Sequence, residues 1–442
     1  MEMDSVLLSR ILTSVTLIFH IIFATIGVGV PLLISLAEWI GIKRKDNHYL
    51  MLARRWTRGF VITVAVGVVT GTAIGLQLSL LWPTFMQVAG QVISLPLFME
   101  TFAFFFEAIF LGIYLYTWDR FNKPIYHWLL SIPIVIGASA SAFFITTVNA
   151  FMNTPQGFLI ENGVITDIQP LAAMFNPATP TKVAHVLSSA YLTSAFVLAG
   201  ITAFYILKGR NTVYYQKALR LTMVAGFLFA VATAVIGDFS GKFLAEYQPE
   251  KLAAAEWHFE TEEGADLILF GVIDEDRNIN GAIHIPKALS ILAHGKTDSE
   301  VIGLNEFPPD ETPPLWIHYL FDGMVMIGMY LAGVSFLYII AYRLKRFNPL
   351  NEWLLRLITA GGPLAMVAIE LGWIFAEVGR QPWILRGYMK VSEGATTSDS
   401  VGLMLVLFVA LYIVLGWVSV RVLWKMFKNN PVEAELEYRF KE

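Results

Sequence analysis

The chain has 442 residues, 56% of them hydrophobic and 15% charged, with 12 tryptophans, 32 phenylalanines and a formal net charge of −4; its mean hydropathy is +0.60. Such values belong to a polytopic membrane protein and exclude a soluble domain, and no nucleic-acid partner is expected. The absence of cysteine removes disulfides, thiolate-ligated haem, iron–sulfur clusters and most zinc sites, so any metal must sit on His, Met or carboxylate.

Crossing the hydrocarbon core takes about 20 apolar residues, and nine runs are long enough, near 11–40, 56–82, 91–117, 127–150, 183–207, 217–239, 314–342, 353–378 and 401–426. The first is too long for a signal-peptide core and has no basic residue before Arg10, so it reads as a retained helix. Basic residues mark alternate connections: Lys43, Arg44, Lys45, Arg54, Arg55 and Arg58, then Arg120 and Lys123, then Lys208, Arg210, Lys217 and Arg220, then Arg343, Lys345, Arg346 and Arg356, with Arg421, Lys425 and Lys428 near the end. By the positive-inside rule these face the cytoplasm, which leaves the N-terminus outside and the C-terminus inside. Two long non-helical segments then fall on the outer side, about 151–181 and 241–313, the second rich in Glu and Asp and too long for a passive connector. The expected fold class is an all-α polytopic membrane protein of nine transmembrane helices. Residues 1–240 form helices one to six, 241–313 a large outer loop, and 314–442 helices seven to nine with a cytoplasmic tail.

Polar residues inside these runs are the candidate site. His20 lies nine positions into the first helix, amid Ile18, Phe19, Ile21 and Ile22. The third helix carries Glu100 and Glu107 on one face, His185 opens the fifth, and the seventh carries His318 and then Met324 in its outer half. The eighth carries Glu370 and Glu377, seven residues apart and hence on one face, in A-I-E-L-G-W-I-F-A-E-V-G-R-Q-P-W from Ala368 to Trp383. An ionised carboxylate facing lipid costs roughly 2.5–3.5 kcal/mol, so these acids should face protein, cofactor or water. A bland account remains for each residue: Met324 as packing beside Met326 and Met329, the histidines near helix ends as interfacial hydrogen bonders, and Glu377 as an acid paired to Arg380. Together His20, His185, Met324 and Glu377 collect in the outer half of the membrane and look like axial ligands of haem.

Further motifs sharpen this reading: S-R at Ser9–Arg10, M-E-T-F-A-F-F-F-E ending at Glu107, W-D-R from Trp118, V-N-A-F-M-N-T-P from Val148, G-D-F-S-G from Gly237, K-L-A-A-A-E from Lys251 to Glu256, and G-R-Q-P-W from Gly379. With these, essentially the whole chain resembles subunit I, the large haem-bearing subunit, of cytochrome bd-type quinol oxidases. The resemblance implies that His185 and Met324 ligate a low-spin haem b. It implies that His20 and Glu377 each serve one of two high-spin haems, a haem b and a haem d, and that Arg10 and Arg380 bind cofactor. Lys251 and Glu256 would belong to a quinol-binding loop for menaquinol or ubiquinol, Glu100 and Glu107 would line a proton route, and Trp373 would sit among the haems. Asp322 stands where a family member carries Arg, and the outer loop has the short form.

The implied activity is oxidation of quinol at the outer side and reduction of oxygen to water with cytoplasmic protons, building a proton gradient without pumping. Implied partners are a second large membrane subunit, one or more small single-helix subunits, quinol, oxygen and the lipid bilayer of a bacterial or archaeal plasma membrane. The rival is a proton- or ion-coupled secondary transporter, which accounts for Glu100, Glu107 and Glu370 but gives no role to a deep His beside a His/Met pair.

Overall fold

Short polar caps and prolines cut the apolar runs into helices. In the computed structural model, which describes residues 4–161, 164–274, 277–344 and 347–440, the Asp4 carboxylate caps α1 (Ser5–Arg44) by accepting from the Val6 N–H at 3.1 Å. Asp46 caps α2 (Asn47–Leu81) in the same way through His48 at 3.0 Å. A proline opens α3 (Pro83–Tyr116) and α4 (Pro124–Leu129), where its missing N–H costs nothing. There follow α5 (Ser131–Asn153), α6 (Pro170–Met174), α7 (Thr179–Leu207), α8 (Val213–Tyr247), α9 (Pro249–Ala255), α10 (Ala288–His294), α11 (Ile317–Leu344), α12 (Glu352–Val378), α13 (Val391–Gly394), α14 (Val401–Asn429) and α15 (Val432–Phe440).

Among the described residues nine helices are long and apolar enough to cross a membrane, with α4 and α5 together forming one of them. All nine expected runs are present. The sixth runs eight residues past the expected 239, to Tyr247, so the G-D-F-S-G motif is helical and the loop begins at 248. Hydropathy misses this end because Asp238 and Lys242 fall there, yet they pair at i,i+4 along the helix and do not break it. Lys345 and Arg346 lie outside the described residues.

Trp82 at the end of α2 donates to Thr13 near the start of α1, as antiparallel neighbours allow, and the connections of the long helices alternate between a basic end and a loop end. At the basic end several cations are paired. Arg55 and Arg58 share Glu435 of α15, Arg54 meets Asp119, and Lys217 meets Asp46. The main apolar core joins α1, α2, α7, α8, α11 and α12 in this half.

At the loop end the described residues of 248–316 pack into one core with Ala150 of α5, Phe243 and Leu244 of α8, Ile317 of α11 and Phe375 of α12. Leu252, Ala253, Ala254, Ala255, Trp257 and Leu289 are all nearly fully buried, and the Trp257 indole N–H donates to the Leu315 carbonyl at 2.8 Å. Short antiparallel pairs such as Leu267–Leu269 with Ile283–Ile285 fill out this layer. Arg386, beyond α12, grips α9 by donating to both Glu250 carboxylate oxygens at 2.8 and 2.9 Å and to the Tyr247 carbonyl at 2.7 Å.

Candidate functional site at the loop end of the bundle

Glu377 sits in the last turn of α12 at the centre of a polar cluster. Its Oε1 accepts from the Asn149 amide of α5 and its Oε2 from the Arg380 guanidinium at 2.6 Å. The Asn149 side-chain oxygen in turn accepts from Lys182 Nζ of α7 at 2.8 Å. Lys251 of α9 reaches the same place, its Nζ donating to the Ala376 carbonyl at 3.3 Å and lying 4.6 Å above the Phe375 ring. That approach explains a glycine at the head of G-R-Q-P-W, since a Cβ on Gly379 would stand 2.5 Å from Lys251 Cε. Three cations thus surround one carboxylate, and the buried Nε and Nη1 of Arg380 have no partner among the described residues. Unpaired buried guanidinium N–H groups are costly unless an anion meets them.

The other candidate ligands line helix seams nearby. His185 lies one turn after Lys182 on α7, and its Nδ1 is buried without a partner. Met324 of α11 packs on α12, where a Cβ on Gly372 would come 3.0 Å from its sulfur. On α1, His20 Nδ1 meets Thr70 Oγ1 of α2 at 2.8 Å. The Thr70 hydroxyl donates to the Val66 carbonyl at 2.9 Å, so it accepts from Nδ1–H and leaves the His20 Nε2 lone pair for a metal. This is how ligating imidazoles are oriented. Each ligand also faces a glycine on the adjacent helix, Gly71 for His20, Gly237 for His185 and Gly372 for Met324. Imidazole and thioether donors, space left by glycine, and the partnerless Arg380 N–H groups, suited to a carboxylate, fit haem.

The loop residues differ from expectation. Lys251 and Glu256 were expected in a water-exposed loop, but they are 3% and 0% exposed because α9 is the core of the loop layer. Burial pushes Lys251 down to about 7 despite the pull of Glu377, and burial, then the neighbouring Asp322, pushes Glu256 up to about 8. Both Glu256 carboxyl oxygens lack hydrogen-bond partners among the described residues. His318 is not free to ligate a metal: its Nδ1 faces the Ala255 carbonyl at 2.7 Å, its Nε2 faces Phe270 O and Asp322 Oδ2 at 3.3 Å, and Trp257 stacks on its ring. Asp322 also accepts from the Phe270 N–H at 2.8 Å, so this departure from the family pattern ties the loop to α11.

On α3, Glu100 accepts from Ser141 of α5 at 2.9 Å, whereas no hydrogen bond reaches the buried Glu107 among the described residues. Glu370 is likewise unpartnered through both oxygens. Trp373 is half-buried on α12, and Arg10 is exposed with no ion pair or hydrogen bond among the described residues. Sequence reasoning missed Thr70, Asn149 and Lys182. Asn149 lay inside a quoted motif and Lys182 was a lone cation at the head of an apolar run, while Thr70 gave no signal.

Among the described residues, nine apolar helices with imidazole, thioether and carboxylate side chains in their seams define an integral membrane protein with side chains suited to haem. The model of the family described as cytochrome bd terminal oxidase subunit I matches residues 8–431. A Bacillus subtilis (strain 168) protein provisionally named cytochrome bd menaquinol oxidase subunit I is 44% identical over 98% of this chain and 99% of its own length. A second protein of that organism, named cytochrome bd ubiquinol oxidase subunit 1, is 31% identical over 94% and 92%. A solved structure of a bd oxidase from Geobacillus thermodenitrificans superposes with a TM-score of 0.94 at 66% identity, covering 97% of this chain and all of that one. The chain belongs to the cytochrome bd terminal oxidase subunit I family. It is a multi-pass membrane subunit of a terminal quinol oxidase, a respiratory quinol:oxygen oxidoreductase that uses haem and works beside a second subunit. The transporter reading is thereby set aside.

Proposed function

We propose that quinol is oxidised at the loop end, facing outward, and that the protons consumed in reducing oxygen enter from the basic end, facing the cytoplasm. The run of Lys and Arg at the basic end supports that orientation. His185 and Met324 would hold a low-spin haem b, and His20 and Glu377 would each hold one high-spin haem, a haem b and a haem d, with Trp373 among them and Arg380 at the cofactor rim. When bound, the haems carry the electrons of quinol and supply the iron at which oxygen is reduced. Arg10, exposed at the start of α1, has no support for its expected part in cofactor binding.

Glu256 takes a proton from a quinol hydroxyl. Its carboxyl, near 8, changes charge close to physiological pH, as a proton acceptor must. Lys251, near 7, places a second titrating group between that site and Glu377. Protons for oxygen reduction pass from Glu107 to Glu100, about 10 Å along the helix axis, with water between them. Quinol protons leave on one side and consumed protons come from the other, so charge is separated without a pump. The nearer resemblance to the relative named for menaquinol favours menaquinol as substrate. Small single-helix subunits and a bacterial plasma membrane complete the assembly.

The observation that carries this reading is the contact of Lys251 Nζ with the Ala376 carbonyl, which joins the loop bearing Glu256 to the helix turn bearing Glu377. Met324→Leu tests it, because Leu keeps nearly the same volume without a donor sulfur. The low-spin haem should become high-spin in the visible spectrum and quinol should no longer reduce it; an unchanged low-spin spectrum would overturn the assignment.

A further inference from the structure

Three side chains that the mechanism leaves unused are buried together at the basic end. Glu38 of α1, Tyr114 of α3 and His127 of α4 are each 2% exposed or less. The Tyr114 hydroxyl donates to Glu38 Oε2 at 2.6 Å, His127 Nδ1 lies 2.6 Å from Glu38 Oε1, and His127 Nε2–H donates to the Tyr114 carbonyl at 2.9 Å. With Nε2 committed as a donor, one further proton occupies the Nδ1–Oε1 hydrogen bond, on the imidazole or on the carboxyl. Tyr114 and Trp118 sandwich the imidazole, with ring centroids 4.3 and 4.2 Å away.

The position of the triad gives it a destination. Tyr114 follows Glu107 by seven residues, as Glu107 follows Glu100, so the three lie on one face of α3 in steps of about 10 Å. Between Tyr114 and the level of Glu107 is a cavity lined by Leu111, Tyr114, Thr57, Ser131, Ile134 and Ile34, with about 10 Å³ of room for a water centre, enough for about one water. Pro31 and Phe60 complete a mostly apolar lining, and the Thr57 and Ser131 hydroxyls, which donate to backbone carbonyls, can only accept from a water there. A mere staple of α1, α3 and α4 would need no ionisable pair at its centre.

We propose that Glu38, His127 and Tyr114 form the cytoplasmic stage of the proton route, delivering protons to Glu107 through a water in this cavity. The inference rests on the relay reading of Glu107 and Glu100. One proton is taken up on the His127–Glu38 pair and moves to the Glu38 oxygen facing Tyr114. With that oxygen protonated, the Tyr114 hydroxyl turns from Glu38 to the cavity water. It accepts the Glu38 proton as it passes its own to that water, and turns back once the water has handed a proton to the Glu107 carboxylate. Each cycle carries one proton in and one out, with no change of redox state.

The test uses the purified oxidase complex with Glu38→Gln, Tyr114→Phe and, for reference, Glu107→Gln. Glu38→Gln and Tyr114→Phe should keep wild-type haem content and wild-type reduction of the haems by quinol under anaerobic conditions. When the fully reduced enzyme meets oxygen, proton uptake followed with a pH indicator should slow about tenfold or more, with a larger slowing in D2O than wild type shows. A structural role would instead change haem content or thermal stability and leave the D2O ratio alone. If Glu107→Gln is slow but both triad variants take up protons at wild-type rate, the triad inference is wrong and the relay stands; if Glu107→Gln is also at wild-type rate, the relay itself falls. Should Glu38→Gln fail to assemble, Tyr114→Phe decides on the same readout, since it keeps the ring stacked on His127.

Discussion

Helices α3 and α12 each carry two glutamates seven residues apart, Glu100 and Glu107 on one, Glu370 and Glu377 on the other. In both, the carboxylate nearer the loop end is hydrogen-bonded, Glu100 to Ser141 and Glu377 to Asn149 and Arg380. The deeper one, Glu107 or Glu370, has no hydrogen bond among the described residues. Identical spacing therefore gives two settings: one carboxylate of each helix is oriented by hydrogen-bond donors, and the other has none to orient it.

The largest effect that can break this comparison belongs to Glu107. Glu107→Gln keeps the shape and removes the proton site, so turnover should fall about a hundredfold or more while haem content and quinol reduction stay normal. Stopped-flow oxidation of the fully reduced variant checks this, and wild-type rates in its proton-coupled phases would take Glu107 off the route.

Next comes Glu377→Gln, which strips the carboxylate from among Arg380, Lys182 and Lys251. Removing one partner of a buried ion pair costs about 3–5 kcal/mol, and here it also removes a proposed haem ligand. The haem-to-protein ratio and the unfolding midpoint should both drop. Glu370→Gln should leave both nearly unchanged, because it removes a carboxyl that has no partner to strand. Equal damage from the two variants would dissolve the distinction between fixed and free carboxylates.

A smaller effect concerns pH and Glu256. Its carboxyl titrates near 8 when folded against an ordinary 4.5, so between those values the folded chain holds more protons than the unfolded one and stability falls as pH rises. Lys251, near 7 against 10.5, works the other way above about 7, where the folded chain holds fewer protons. At about 1.4 kcal/mol per pKa unit, Glu256→Gln should gain stability over wild type as pH rises from 4.5 to 8, by up to a few kcal/mol. Thermal unfolding of both proteins across that window tests it, and a difference independent of pH would show that burial does not raise the Glu256 carboxyl.

The smallest is Ser141→Ala, which deletes one hydrogen bond to Glu100, about 1 kcal/mol. Turnover should change by less than about tenfold, since Glu100 keeps its carboxyl. A loss as deep as that of Glu107→Gln would make the Ser141 hydroxyl itself part of the route.

The helices could be read from the chain because a spanning segment announces itself by length and hydropathy alone, and candidate ligands stood out as polar residues in apolar runs. What stayed hidden depends on contacts between distant segments. Thr70 fixes the His20 tautomer from 50 residues away, and a threonine in a membrane helix is otherwise unremarkable. Lys251 and Glu256 lie in a loop rich in Glu and Asp, yet that loop packs Leu252 and Leu289 into one core with residues of α5, α8, α11 and α12. Asp238 and Lys242 looked like the end of a helix because hydropathy counts each charge and overlooks their pairing. Glu38 and His127, 89 residues apart, share a hydrogen bond that no local pattern foretells.

The clasp of α15 on α2 also bears on how the protein is made. Arg55 and Arg58 lie in the second helix, whereas Glu435, which neutralises both, is seven residues from the end of the chain. Synthesis runs from the N-terminus, so these arginines stand uncompensated while α2 enters the bilayer, when positive charge sets the direction of insertion. Their partner arrives only after the last spanning helix has been made. On the proposed orientation, one pair of arginines thus serves first as an inserting signal and later as a fastening, and a chain truncated before α15 should still insert but leave α2 without its clasp.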